Sequence, residues 1–233
     1  MWQANPTWGS PRIQAELAKL GIRISESTVR RYRPKHRHTR SAQTWKTFLR
    51  NHAQALVAID FFTVPTATFR VLYVFLVLAH ERRRVLHFNI TQAPSAAWTA
   101  QQVVEAFPFT TPPRYLLQDR DGIYGADFVR RVEGLGLEQK PIAPRSPWQN
   151  PMAERLIGPL RRECLDHVIL FNEEHLRHIL TDYLSYYHRH RTHRSLEQDC
   201  QEPRAVEPPD QGTIIELPLV GGLHHRYARQ AAA

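Results

Sequence analysis

Cysteine is nearly absent. The 233 residues contain two, Cys164 and Cys200. They have no metal-ligand spacing and build no disulfide framework, so a reducing cytosol fits. Long apolar runs are missing as well: the longest, Val71 to Ala79, is too short to span a bilayer. The opening residues Met1-Trp2-Gln3-Ala4-Asn5-Pro6 lack the basic-then-apolar profile of a signal peptide, so a cytoplasmic protein without a membrane partner is the expectation. No internal repeat and no low-complexity tract occurs. Acidic residues are the scarcer charge, 22 Asp and Glu against 31 Lys and Arg, which leaves a formal net charge of +9 and a pI of about 10.0.

What is present is a core and a great deal of arginine. At 42% hydrophobic residues the chain can fill one core domain and a small satellite. The basic excess is clustered at Arg30-Arg31-Tyr32-Arg33-Pro34-Lys35-His36-Arg37, Arg82-Arg83-Arg84, Arg161-Arg162 and His188-Arg189-His190-Arg191-Thr192-His193-Arg194. Clustered arginine on a basic chain favours a polyanionic partner, most often nucleic acid. The histidines of the last cluster have no cysteine beside them, so phosphate contact is expected there rather than zinc.

Residues 1–34 read as a helix-turn-helix-like DNA-binding segment. Ser10 caps and Pro11 opens a first helix with Ile13, Leu17 and Leu20 on one face, and Gly21 ends it. Ser25 to Thr28 opens a second, arginine-rich helix through Val29 and Tyr32, stopped by Pro34. Residues 35–53 read as a basic linker. From Gln54 the pattern changes to strands over 54–64, 69–80 and 84–90 with short polar breaks, which predicts an antiparallel meander. A helix from 95 to 107, a strand at 114–118, a helix at 127–134, a strand at 137–142, and helices at 154–167 and 173–187 follow. The expected fold is α/β: a mixed five-stranded sheet with helices on both faces, the element order of a ribonuclease-H-like core over 54–195. Residues 196–233 read as a tail with one short strand near 213–220.

Three acids stand out. Asp60 interrupts the apolar run Leu56-Val57-Ala58-Ile59-Asp60-Phe61-Phe62, whose two alternating faces are both apolar, as in a central strand covered on both sides. A carboxylate there is costly to bury as an ion, unless a backbone donor, an arginine or a divalent cation meets it. Asp119 ends the run Tyr115-Leu116-Leu117-Gln118, and Asp121 follows two residues on. The pair also suits a turn, and it lacks the remaining ligands of a calcium loop. Asp119 lies nearer the strand end and is the preferred metal ligand, with Asp121 the alternative. Glu154 opens a helix whose buried stripe is Leu156, Leu160 and Cys164. Glu154, Gly158 and Arg161 form another stripe, with Gly158 leaving room for a DNA backbone and Arg161 able to meet a phosphate.

Taken together, these segments resemble the DDE transposases and integrases, in particular bacterial insertion-sequence transposases with a retroviral-integrase-type core. The resemblance rests on Ala58-Ile59-Asp60-Phe61, on Leu117-Gln118-Asp119-Arg120-Asp121-Gly122-Ile123-Tyr124-Gly125, and on Pro144-Arg145-Ser146-Pro147-Trp148-Gln149-Asn150-Pro151-Met152-Ala153-Glu154-Arg155. The interval 154 − 119 is 35 positions, close to that of the family. The resemblance runs from about residue 5 to 230.

It implies that Asp60, Asp119 and Glu154 are catalytic and hold two Mg²⁺ or Mn²⁺ ions for in-line phosphoryl transfer on double-stranded DNA, both element ends and target. Arg30, Arg31 and Arg33 would meet terminal-repeat DNA. A mobile loop from Pro144 to Asn150 would bring Arg145, Trp148, Gln149 and Asn150 to DNA, beside Arg161 and Arg162. A homo-oligomer in the bacterial cytoplasm, associated with the nucleoid, is implied, since two ends must be held together. The zinc module of retroviral integrases is missing. Members of this group often carry a further DNA-binding segment upstream, so a full-length chain, a fragment and a degenerate copy are all compatible with this one. A nuclease without joining activity and an inactive DNA-binding remnant stay open as alternatives.

Overall fold

The computed structural model describes residues 1, 9–32, 44–143, 146 and 149–231, in two compact units, residues 1–44 and 45–233. The first holds α1 (Ser10–Lys19) and α2 (Glu26–Arg31). Gly9, not Ser10, is the N-cap of α1; Ser10 is the first helical residue and is buried. Ile13 and Val29 are the buried apolar contacts, while Leu20 is exposed. Ser25 caps α2 by accepting the Thr28 N–H at 3.2 Å. Gly21 supplies the positive φ of 80° that turns the chain after α1.

The second unit is built on a five-stranded sheet. Its strands are β1 (Leu56–Pro65), β2 (Val71–Ala79), β3 (Val85–Thr91), β4 (Tyr115–Gln118) and β5 (Glu138–Pro141), in spatial order β3-β2-β1-β4-β5. β1, β2 and β3 form the antiparallel meander expected from their short polar breaks. β4 pairs with β1 in parallel, with Ala58 opposite Leu117, and β5 pairs in parallel with β4. β1 is therefore central, and its residues divide between two cores by alternation. Val57 and Ile59 pack with Phe75, Val77, Leu116, Phe128 and Val132 under α4 (Ala96–Glu105) and α5 (Ala126–Gly134). Ala58, Phe62 and Val64 pack on the other face under α6 (Pro151–Glu163) and α7 (Glu173–Arg189). Asp60 falls on this second face by the same alternation.

Two segments differ from the sequence-based expectation. The linker expected to run to residue 53 gives way at Trp45 to a helix, α3 (Trp45–Asn51). Trp45, Phe48 and Leu49 recur at helical spacing and pack into the core, and the Phe48 ring meets Tyr115 at 5.3 Å. Charged neighbours masked that stripe. The tail expected to hold one strand holds two, β6 (Thr213–Leu219) and β7 (His224–Gln230), paired antiparallel through a turn with positive φ at Val220, Gly221 and Gly222. β7 is His- and Arg-rich and so lacked a strand signature. Among the described residues no helix is long and apolar enough to cross a membrane.

Candidate active site

Asp60 lies in the middle of β1, where only one side of its carboxyl group is met by the backbone: Oδ1 accepts the Phe61 N–H at 2.8 Å. Burial pushes the carboxyl up to about 7; the Phe61 N–H lowers it, and the nearby charges of Asp119 and Glu154 raise it further. The three acids thus converge from the middle of β1, the end of β4 and the first turn of α6. Asp119 is half-buried, and burial raises its carboxyl as well. Its Oδ1 accepts the Asp121 N–H at 3.2 Å. Asp121 is exposed, closes its own turn by accepting the Ile123 N–H at 3.0 Å, and is not among the charges acting on Asp60. Glu154 is exposed in the first turn of α6.

Asn150 sets the start of α6 against β1. It is 4% exposed and donates from Nδ2 to the Ile59 carbonyl at 3.3 Å. That role replaces the DNA contact expected of it, because a side chain sealed against β1 has no access to a ligand. Its Oδ1 is buried without a hydrogen bond. Gln149 closes the preceding loop, its Oε1 accepting the Ala143 N–H at 2.7 Å and its carbonyl the Trp45 indole N–H at 3.1 Å. Arg33, Pro144, Arg145, Pro147 and Trp148 lie outside the described residues.

Downstream on α6, the buried stripe of Leu156, Leu160 and Cys164 is as expected, with Ala153 added. Arg161 reaches back to β1, donating to the Thr63 carbonyl at 2.9 Å with its guanidinium 5.5 Å from the Phe62 ring centre. The space expected over Gly158 is occupied: an added Cβ would lie 3.2 Å from the Arg162 guanidinium. Arg30 and Arg31 are exposed on α2. A cleft of about 720 Å³ is lined by Phe61, Thr63, Tyr73, Asp121, Ile123 and Arg161 among others.

The cluster at 188–194 divides: Arg189, Thr192 and Arg194 are exposed, while His188, Arg191 and His193 are engaged within the fold. His188 accepts the Val85 N–H at 3.1 Å, and burial holds its ring down to about 4. His193 is buried. Arg191 clamps Glu163 at 2.9 and 2.6 Å, and Glu163 also accepts the Tyr183 hydroxyl at 3.1 Å. Tyr183 and Tyr187 are core residues.

Two residues beside the acids carried no role in the sequence reading. Tyr124 packs on Phe61 and Phe128, and burial, together with the charges of Asp119, Asp60 and Asp121, holds its hydroxyl far above its ordinary value. It stays neutral beside the acids. Arg155 follows Glu154 directly. Both stand inside motifs already marked by their acids, and that adjacency was the available signal.

A divalent cation fits this chemistry in one respect. Ionising a half-buried carboxyl raised to about 7 near two others is costly, and a cation would offset that cost. Among the described residues no group of three or more His, Cys, Asp or Glu side chains is drawn together tightly enough to be a ready ligand set. The three acids lie within electrostatic reach without being in coordinating contact.

Residues 135–199 match the model of the integrase core domain. No curated protein matches the chain. Among solved structures, the chain is similar to one from the simian T-cell lymphotropic virus intasome in complex with the PP2A regulatory subunit B56 gamma, at 13% identity and TM-score 0.51, covering 75% of this chain and 66% of that one. It is similar to the catalytic domain of Mos1 mariner transposase at 14% identity and TM-score 0.52, covering 60% and 77%. A Mos1 catalytic domain with raltegravir and Mg gives 16% identity and TM-score 0.53, covering 60% and 76%. The fold is that of the ribonuclease-H-like integrase and transposase catalytic cores.

Proposed function

We propose that this chain is a DNA transposase or integrase, a polynucleotidyl transferase that cuts strands at the ends of a mobile element and joins them to target DNA. The observation that carries the reading is the approach of Asp119 and Glu154 to the half-buried Asp60, whose carboxyl is raised by burial and further by these two charges. A transferase acting on phosphodiesters needs concentrated negative charge at the site only if cations are to be held there.

Asp60, Asp119 and Glu154 would hold two Mg²⁺ or Mn²⁺ ions, which supply Lewis acidity and an activated oxygen nucleophile when bound. The chain's own residues do the rest. Asn150 fixes the start of α6 on the Ile59 carbonyl, so Glu154 is presented beside Asp60. Arg161, held on Thr63 at the cleft wall, retains donors for a DNA phosphate. The neutral Tyr124 hydroxyl can donate to an acid or a phosphate oxygen without adding charge. Arg162, Gln149, Arg145 and Trp148 complete the face offered to DNA, and Arg30, Arg31 and Arg33 meet the terminal repeats. Two DNA ends require more than one copy of the chain.

The test is divalent-metal-dependent strand transfer, with labelled DNA from the ends flanking the coding sequence and a plasmid target. Joined products from the wild type, lost in Glu154→Gln while DNA binding persists, are expected. Cleaved but never joined DNA would instead make the chain a nuclease. Binding without products in either protein would make it an inactive remnant.

A further inference from the structure

Four large apolar side chains stand in water around the turn between β1 and β2. Phe69 is 94% exposed, Ile169 70%, Phe171 62% and Val71 46%. They come from two segments that the backbone ties together: the Ala67 N–H in the turn donates to the Leu170 carbonyl between α6 and α7 at 2.6 Å. Leu170 is buried in the core, and its neighbours Ile169 and Phe171 are left outside. The Phe171 ring lies stacked on His175 at 5.6 Å, in the first turn of α7.

Phe69 is held at φ 59°, the left-handed region that a bulky side chain avoids. The turn fixes it there. The Phe69 N–H donates to the Thr66 carbonyl at 2.9 Å, the Thr66 N–H to the Arg70 carbonyl at 2.8 Å, and the Arg70 N–H to Thr66 Oγ1 at 3.1 Å. An exposed ring gains no packing within the chain to offset that strain. By side-chain size the four residues present on the order of 500 Å² of apolar surface, at the large end for a monomer.

The border of this patch is charged but balanced. Arg70 and Glu174 are exposed, and among the described residues neither side chain has an ion-pair partner. Glu173 is taken up by Arg177 at 3.0 Å. Two arginines against two glutamates leave the border without net charge, on a chain of net charge +9. A DNA backbone is met by an excess of positive charge, so this face does not have the character of a DNA footprint.

We propose that this face joins two copies of the chain about a two-fold axis. Phe69 and Phe171 of one copy pack on the same pair of the other, and Arg70 of each copy meets Glu174 of the other. Two-fold pairing requires a face complementary to itself. An apolar centre with a free cation on one segment and a free anion on the other meets that requirement. Two such patches bury about 1,000 Å² in total, near the lower limit of a specific interface, so the dimer is weak and rests on its aromatic anchors. The proposal rests on the reading above, in which two DNA ends require more than one copy, and names the surface that joins them.

The experiment is sedimentation velocity on the full chain without DNA, in moderate salt, over about 1–100 µM. The wild type is expected to pass from monomer to dimer across the series. Phe69→Gly, which relieves the strained turn, is expected to weaken association at least about tenfold while melting no lower than the wild type. Arg70→Glu and Glu174→Arg set like charges against each other, and each is expected to weaken association several-fold. The double variant Arg70→Glu/Glu174→Arg restores opposite charges and is expected to return to within about twofold of the wild type, a recovery that damage to the fold does not give. A wild type that stays monomeric, an unaffected Phe69→Gly, or a double variant weaker than both singles overturns the dimer face. If such a chain still joins DNA, the transposase reading stands without it. A dimer that passes these tests but yields no cleaved or joined DNA overturns the DNA reading and leaves the face standing.

Discussion

Asn at position 60 in place of Asp removes one charge and almost no volume. The amide oxygen can still accept the Phe61 N–H that Asp60 accepts at 2.8 Å. What disappears is the cost of ionising a buried carboxyl. In the folded chain that carboxyl is raised from 3.8 to about 7, which at 1.36 kcal/mol per pH unit is on the order of 4 kcal/mol at most. The direction follows from proton linkage. Below the unfolded value both states are protonated and Asp60 exerts no penalty. As pH rises from 3.8 towards 7 the unfolded chain releases its proton first, so folded stability falls across that window and levels off above it. Urea unfolding in EDTA should therefore find Asp60→Asn about as stable as wild type near pH 4 and about 2–4 kcal/mol more stable at pH 8. Adding Mg²⁺ at pH 8 should narrow the gap, because a cation binds and stabilises the ionised wild type only. A variant equal to or less stable than wild type at pH 8 in EDTA refutes the account of Asp60 as a strained, charge-poor carboxyl.

Three further outcomes are expected. Arg191→Ala leaves the partly buried Glu163 without its bidentate partner and should lower unfolding free energy by about 2 kcal/mol, with a double-mutant cycle through Glu163→Gln recovering part of the loss. His188 is held down to about 4 by burial, so the unfolded chain binds the proton first as pH falls below 6.5, and stability is lost between there and 4. His188→Gln, which can still accept the Val85 N–H, should flatten that part of the pH–stability profile in urea melts. Phe69 stands at φ 59° and is 94% exposed at the tip of the β1–β2 turn, so Phe69→Gly should raise the melting free energy by about 1 kcal/mol with no loss of packing.

The sheet was legible because its signal is strong and local. β1, β2 and β3 are apolar runs with polar breaks, and an aspartate inside the first run marks the position where burial and chemistry conflict. α3 was not, because a seven-residue helix between basic residues hides a three-residue apolar stripe, and only the Tyr115 ring it covers shows why it folds. β7 was not, because four of its seven residues are His or Arg, and the strand is set by pairing with β6 and by His224, which bonds the Glu163 carbonyl at 2.9 Å and stacks on Tyr186. The basic clusters divide in the opposite sense. In sequence Arg191 and Arg161 look equivalent, yet one is taken up by Glu163 and the other reaches the cleft. Charge along the chain counts guanidinium groups, whereas a binding surface depends on which of them the fold has left unpaired. A nucleic-acid reading drawn from composition therefore identifies the class of partner, and the contacts themselves follow from the carboxylates that the fold assigns elsewhere.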